Sequence, residues 1–216
     1  MYQLEIVNEL SLRATCTDGQ GELFTKAGAM IGFQGQCNFE KVLLGPQKNA
    51  ASALMGQIIR RATGENLPLM KVRSSSGSQS YYASKSRHVV VVNLNQGQSI
   101  MVESDDLLAF TDACNYNSKL LAQGVISQKG FFTSVLTGNR EGAQVAILTT
   151  GNPIVLDSPC CADPDAVVAW TGSDPGFKTN LSWKNLIGQA SGESYMFEWN
   201  GSGSKVIIQP NERNTV

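Results

Sequence analysis

Val102-Glu103-Ser104 leads into Leu107-Leu108-Ala109-Phe110-Thr111. Leu156-Asp157-Ser158 leads, after an insertion, into Val167-Val168-Ala169-Trp170-Thr171. Both apolar stretches end on alanine, an aromatic and threonine, and Phe110 and Trp170 stand sixty positions apart. Self-similarity at that period marks a duplicated strand module and an all-β chain. Working outward, Phe132-Thr133-Ser134-Val135 aligns with Leu69-Met70-Lys71-Val72, and residues 153–156 align with 99–102. The reading is a single compact domain over residues 1–209, with internal copies near 64–125 and 126–209 and a frayed polar tail at 210–216.

Composition agrees. The 216 residues carry 21 glycines and only 16% charged residues, which suits short strands joined by tight turns. His88-Val89-Val90-Val91-Val92-Asn93 is the strongest strand signal, being β-branched throughout its centre. The glycines of Gly28-Ala29-Met30-Ile31-Gly32-Phe33-Gln34-Gly35 argue for bends within a sheet. Tyr195, Phe197 and Trp199 alternate with polar or flexible residues, placing three aromatics on one strand face. Asn200-Gly201-Ser202-Gly203 then turns toward Lys205–Gln209, reading as a closing hairpin. One helix is expected over 46–62. Pro46 suits its first turn, Leu54, Ile58 and Ala62 share a face, and Gly64 stops it. The expected core between two sheets is Val90, Val92, Phe110, Phe132, Ile147, Val168, Trp170 and Phe197.

Chemistry-bearing residues are sparse. His88 is the single histidine, which excludes a site of two or more histidines within one chain. Glu103 with Asp105 and Asp106, or Asp163 with Asp165, could hold a hard cation, but acidic turns need only solvent. The five cysteines, Cys16, Cys37, Cys114, Cys160 and Cys161, include no Cys-x-x-Cys pair, so free thiols in a reducing compartment are expected. Cys160-Cys161 could form a vicinal redox or metal pair. The N-terminal residues lack the basic start and apolar block of a signal peptide, and no apolar run is long enough to span a membrane. A cytoplasmic location is expected.

The net charge of −1 exerts no general pull on nucleic acid or membrane. Its distribution is uneven. Between residues 60 and 88, Arg60, Arg61, Lys71, Arg73, Lys85 and Arg87 stand against the carboxylate of Glu65, with Tyr81 and Tyr82 among them. Cations interleaved with aromatics can hold single-stranded nucleic acid by phosphate contact and stacking, or meet anionic lipid. They can equally be neutralised by an acidic surface of a neighbouring subunit.

Several motifs recur in a familiar order. These are Gly28-Ala29-Met30, a segment ending Ala62-Thr63-Gly64-Glu65, Leu67 and Leu69, the valine run, Gly97, and Val102-Glu103-Ser104 with its continuation. Over roughly residues 3–209 the chain resembles bacterial relatives of the yeast altered-inheritance-of-mitochondria protein. That family lies in the superfamily resembling the tryptophan RNA-binding attenuation protein. The resemblance implies a β-sandwich of duplicated units assembled into oligomers. It implies no catalytic residue and no cofactor.

The expected protein is therefore a non-enzymatic scaffold or binding protein forming a homo-oligomer, a trimer being the size considered. The alternative is a nucleic-acid-binding oligomer using residues 60–88, and the third class is a carboxylate–metal enzyme.

Overall fold

The computed structural model describes residues 1–42, 68–121, 132–178 and 195–212. The helix expected over 46–62 lies outside these residues, as do Arg60 and Arg61. The described residues form antiparallel sheets in a sandwich-like arrangement, as the sequence predicts. The chain divides into two compact units, Met1–Leu148 and Thr149–Val216.

After an opening strand β1 (Tyr2–Asn8), the same six-strand order occurs three times. The first copy comprises β2 (Ser11–Cys16), β3 (Leu23–Lys26), β4 (Met30–Gln34), β5 (Cys37–Val42), β6 (Leu69–Ser74) and β7 (Gln79–Tyr82). The second comprises β8 (His88–Asn93), β9 (Ser99–Glu103), β10 (Leu107–Thr111), β11 (Cys114–Leu120), β12 (Phe132–Gly138) and β13 (Gln144–Thr149). The third comprises β14 (Ile154–Asp157), β15 (Cys160–Ala162), β16 (Val167–Thr171), β17 (Gly176–Lys178), β18 (Met196–Trp199) and β19 (Lys205–Ile208). In every copy the first strand neighbours the sixth, and the sixth neighbours the third. The second neighbours the fifth, and the fifth neighbours the fourth. The periodicity read between Phe110 and Trp170 thus extends to a third member, Met30-Ile31-Gly32-Phe33-Gln34.

Local geometry repeats with the topology. Each third strand carries a register shift between its first and third residues where it pairs with the sixth: Met30/Gly32, Leu107/Ala109 and Val167/Ala169. A bulge at that point adds twist, and the small third residue leaves room for it. Gly35 and Gly172 follow the third strands of the first and third copies at φ +89 and +79. A Cβ at either would come within 2.5 Å of the hydroxyl of Ser78 or Ser204, the residue preceding the sixth strand. Those hydroxyls accept from Gln36 N at 3.1 Å and from Ser173 N at 3.3 Å. The same junction is therefore built twice from glycine and serine.

Three expectations change. The counterpart of β9 is β15, since each is a second strand paired with a fifth; Leu156-Asp157-Ser158 is not its match. Pro164 and Asp165 of the supposed insertion occupy the positions of Ser104 and Asp105 in the 3-10 turn ahead of the third strand. The closing hairpin is absent: β18 pairs with β15 and β17, whereas β19 pairs with β14 and β16. Alternation records which face a strand buries, not which strand lies beside it.

Two sheets close over one core in the first unit. Leu12, Ala14 and Cys16 of β2 and Tyr82 of β7 pack with Leu23 of β3 and Val72 of β6, joined by Tyr2, Leu4, Val89, Leu108 and Leu148. In β8 it is Val89 that is buried; Val90 and Val92 are half-buried, so the valine run sits one residue out of the expected phase. Phe110, Ile147, Val168, Trp170 and Phe197 are buried as expected. The side chain of Phe132 falls outside the described set.

Two phenols lie in this core. The Tyr82 hydroxyl donates to Ser80 Oγ at 2.9 Å, and burial pushes it from 10.0 up to about 12; burial pushes Tyr2 up as well. The folded state holds the neutral phenols, whereas the unfolded chain ionises them near 10.0. Their contribution is complete below pH 10 and is lost as pH rises toward 12. Melting temperature is expected to stay level below pH 10 and fall above it, with Tyr82→Phe flattening the fall. An equal alkaline fall in Tyr2→Phe/Tyr82→Phe would contradict this.

Candidate functional site

The basic segment is dispersed by the strand order. Lys71 and Arg73 are alternate residues of β6, flanked by β3 and β5. Those neighbours bring carboxylates. Lys71 Nζ lies 3.1 Å from Glu40 and 3.7 Å from Glu22, and Arg73 Nε donates to Glu22 at 2.8 Å. Arg87 reaches the buried carboxylate of Asp106 and donates to the Leu148 carbonyl at 2.9 Å. Lys85 sits in an exposed turn at φ 50. Tyr81 is half-buried and donates to Gln79 at 2.8 Å, and Tyr82 is wholly inside the core with no face for a stacked base. Lys71 and Arg73 are thus brought together, and Tyr82 and Arg87 are directed elsewhere.

A groove of 570 Å³ opens in the first unit between Met1–Gln3, Asn93–Gln96 and Arg140–Gln144. Three of its polar side chains, Asn93, Arg140 and Gln144, bond within the protein. Arg140 pairs with Asp112 at 2.9 Å, Gln144 Nε2 donates to Asn93 at 2.8 Å, and Leu4 N donates to Gln144 Oε1 at 2.7 Å.

The carboxylates proposed for a cation do not converge. Asp105 is exposed and lies 3.7 Å from Lys26, and Asp106 faces Arg87. Asp163 accepts from Asp165 N at 2.9 Å, closing a turn, and burial holds its carboxyl above the usual range. Among the described residues no three His, Cys, Asp or Glu side chains gather as a metal would require.

In the second unit Cys160 and Cys161 are successive residues of β15, opposite Trp199 and Glu198, and successive strand residues point to opposite faces. Cys161 Sγ lies 3.8 Å from both Glu198 Oε1 and Lys178 Nζ. Hydrogen bonds from Asn200 and Lys178 hold the Glu198 carboxyl below its ordinary value. All five cysteines are free thiols. Burial pushes Cys114 up to about 11, which makes it unreactive at neutral pH.

The feature that the sequence reading missed is β4. Met30, Ile31 and Phe33 are 41%, 60% and 52% exposed. Their counterparts are Leu107, Leu108 and Phe110, and Val167, Val168 and Trp170, all at 2% or less. Aligning the three apolar-small-aromatic stretches would have exposed the anomaly, because one sequence pattern occurs in two environments.

No helix among the described residues is long and apolar enough to cross a membrane. The model of the family described as mitochondrial biogenesis AIM24 matches residues 5–211. A Streptococcus pyogenes protein of known crystal structure shares the fold, with a TM-score of 0.67 at 15% identity. The alignment covers 98% of this chain and 94% of that one. No curated protein matches. A family match over nearly the whole length carries the assignment that the motif order suggested, and the chain belongs to the AIM24 family.

Proposed function

We propose that the protein is a non-enzymatic scaffold or binding protein that works as a homo-oligomer in the cytoplasm. The observation that carries this reading is the bare third strand of the first copy. Three large apolar side chains in one strand are left in water where the same strand is buried twice elsewhere. Contiguous exposed apolar surface marks an association site more often than a solvated one. We read the repeated unit as a sandwich of the superfamily resembling the tryptophan RNA-binding attenuation protein, and we extend that superfamily's assembly habit to this chain. Dispersed carboxylates and an internally bonded groove favour a scaffold over an enzyme.

Light scattering at low and high salt tests the reading. A stable oligomer at both is expected, because apolar burial is insensitive to screening. A monomer at micromolar concentration would sink it. RNA added to the same samples tests the alternative, which draws on Arg60, Arg61, Lys71, Arg73, Tyr81, Lys85 and Arg87. Since Lys71, Arg73 and Arg87 already face carboxylates, affinity is expected to be no better than ~10⁻⁴ M at physiological salt, the weak end of non-specific binding. Tight binding that weakens steeply with salt would reverse the order of the two readings.

A further inference from the structure

Within the first unit the chain shows how one copy joins the next. The second strand of copy one, β3, pairs antiparallel with the third strand of copy two, β10: Thr25 opposite Ala109, Phe24 opposite Phe110, Leu23 opposite Thr111. The Phe24 and Phe110 rings stack with centroids 5.0 Å apart, and Phe110 is 1% exposed. Among the described residues the third strand β4 and the second strand β15 each end their sheet, so neither has the neighbour that β10 and β3 find in one another. Other strands also end sheets, but β5, β8, β11, β14 and β17 are first or fourth strands, which lie outermost by the order of the copy itself, and β1 precedes the copies and flanks β2.

We propose that β15 of one chain pairs with β4 of a second copy of the same chain, in the register of β3 on β10. The proposal rests on the reading of the protein as a homo-oligomer and names its contact. The register follows from the sequence. Thr25 precedes Met30 by five residues and is buried; Ala162 precedes Val167 by five residues and is buried. Ala162 therefore takes the role of Thr25, Cys161 that of Phe24 and Cys160 that of Leu23. Transferred to β4, Gly32 lies opposite Ala162, Phe33 opposite Cys161 and Gln34 opposite Cys160. The pairing satisfies two rows of backbone groups that an open edge leaves to water, and it sets the Cys161 thiol against the Phe33 ring, whose other neighbour is Phe39 at 5.4 Å. Donor and acceptor edges differ, so the contact is heterologous and generates a ring when the rotation closes.

The test is a cross-link at the transferred register. Residues directly opposite in an antiparallel pair have Cβ atoms ~4.5–5.5 Å apart, near disulfide reach. Phe33→Cys is made in the full chain with Cys37→Ser and Cys160→Ser, and Cys161 is retained. Mild oxidation is expected to yield covalent multimers in denaturing gels, and Cys161→Ser is expected to abolish them. Light scattering on the same protein separates the two claims. An oligomer in which the introduced thiol forms no disulfide with Cys161 of another chain, or forms it within one chain, overturns the strand pairing and leaves the oligomer reading standing. A monomer overturns both. As a second probe, Ile31→Lys places a charge on an exposed edge residue, where folding tolerates it. At least tenfold weaker association is expected, and unchanged association overturns the pairing.

Discussion

Truncation of Trp199 to alanine is expected to lower the free energy of unfolding by about 4 kcal/mol, the range for emptying a fully buried aromatic site. Trp199 is 1% exposed. Its ring lies 6.1 Å from Phe197 at an edge-on angle of 87° and 6.2 Å from Trp170. Phe177 extends the group, 5.8 Å from Phe197 and 5.1 Å from Tyr195. Trp170 belongs to a third strand and Trp199 to a fifth, so this contact holds the two sheets of the third copy together. The indole Nε1 also donates to the Ser173 carbonyl at 3.1 Å, fixing the turn that follows β16. The alanine variant loses transferred apolar area, ring–ring contact and that hydrogen bond at once. Domains are stable by only ~5–15 kcal/mol, so the loss is a large fraction of the total. Urea unfolding followed by tryptophan fluorescence and circular dichroism measures it, with a midpoint lower by about 2 M for a slope near 2 kcal/mol/M. Trp199→Phe keeps most of the ring but not the donor and is expected to cost about 1–2 kcal/mol. Ile6→Ala, at an exposed apolar residue of β1 outside the proposed contact between chains, is the control and is expected to shift the midpoint little. Equal effects at Trp199 and Ile6 would show that the aromatic cluster does not hold the third copy together.

The aromatics of the three third strands also show how far the fold was legible. Phe110 and Trp170 betray the repeat because each follows two apolar residues and an alanine, and burial on all sides forces that composition on a strand. Phe33 has the same kind of predecessors except that Gly32 replaces the alanine, and the glycine spacing points to a bend. Its strand is bare, so burial does not announce it, and only the comparison with the other two stretches does. The strand pairing of the expected hairpin and the partners of Lys71 and Arg73 were hidden for a shared reason. Sequence gives the face of each strand by period two but says nothing of the neighbouring strand. Each sixth strand crosses to a sheet other than that of the fifth, and Glu22, just ahead of β3, and Glu40 of β5 reach Lys71 and Arg73 from far away in the chain. Lys71, Arg73 and Arg87, neighbours in one dimension, face carboxylates in three.

Arg87 is where that difference has its largest energetic consequence. Asp106 is 1% exposed at the end of the turn that feeds β10, and the Arg87 guanidinium spans it and the Leu148 carbonyl. Arg87→Ala leaves a buried carboxylate without its cation and is expected to cost about 4 kcal/mol, since breaking one side of a buried pair costs far more than the intact pair contributes. Arg73→Ala removes a cation more than half exposed and is expected to cost less than ~1 kcal/mol. Arg87→Lys retains charge but replaces a two-armed donor with a point charge, so it falls between them. Removing both partners, as Arg87→Met with Asp106→Leu, is expected to recover most of the stability lost in Arg87→Ala, and the cycle gives the coupling directly. A loss at Arg87 no larger than at Arg73 would show that the side chain is not structurally committed. It would then be available to a phosphate, and the nucleic-acid reading would gain the cation that the fold now denies it. A large loss, cancelled in the double variant, fixes Arg87 as the clamp between the turn before β10 and the end of β13. The functional surface then has to be sought where the fold leaves apolar strands open, not where the sequence concentrates charge.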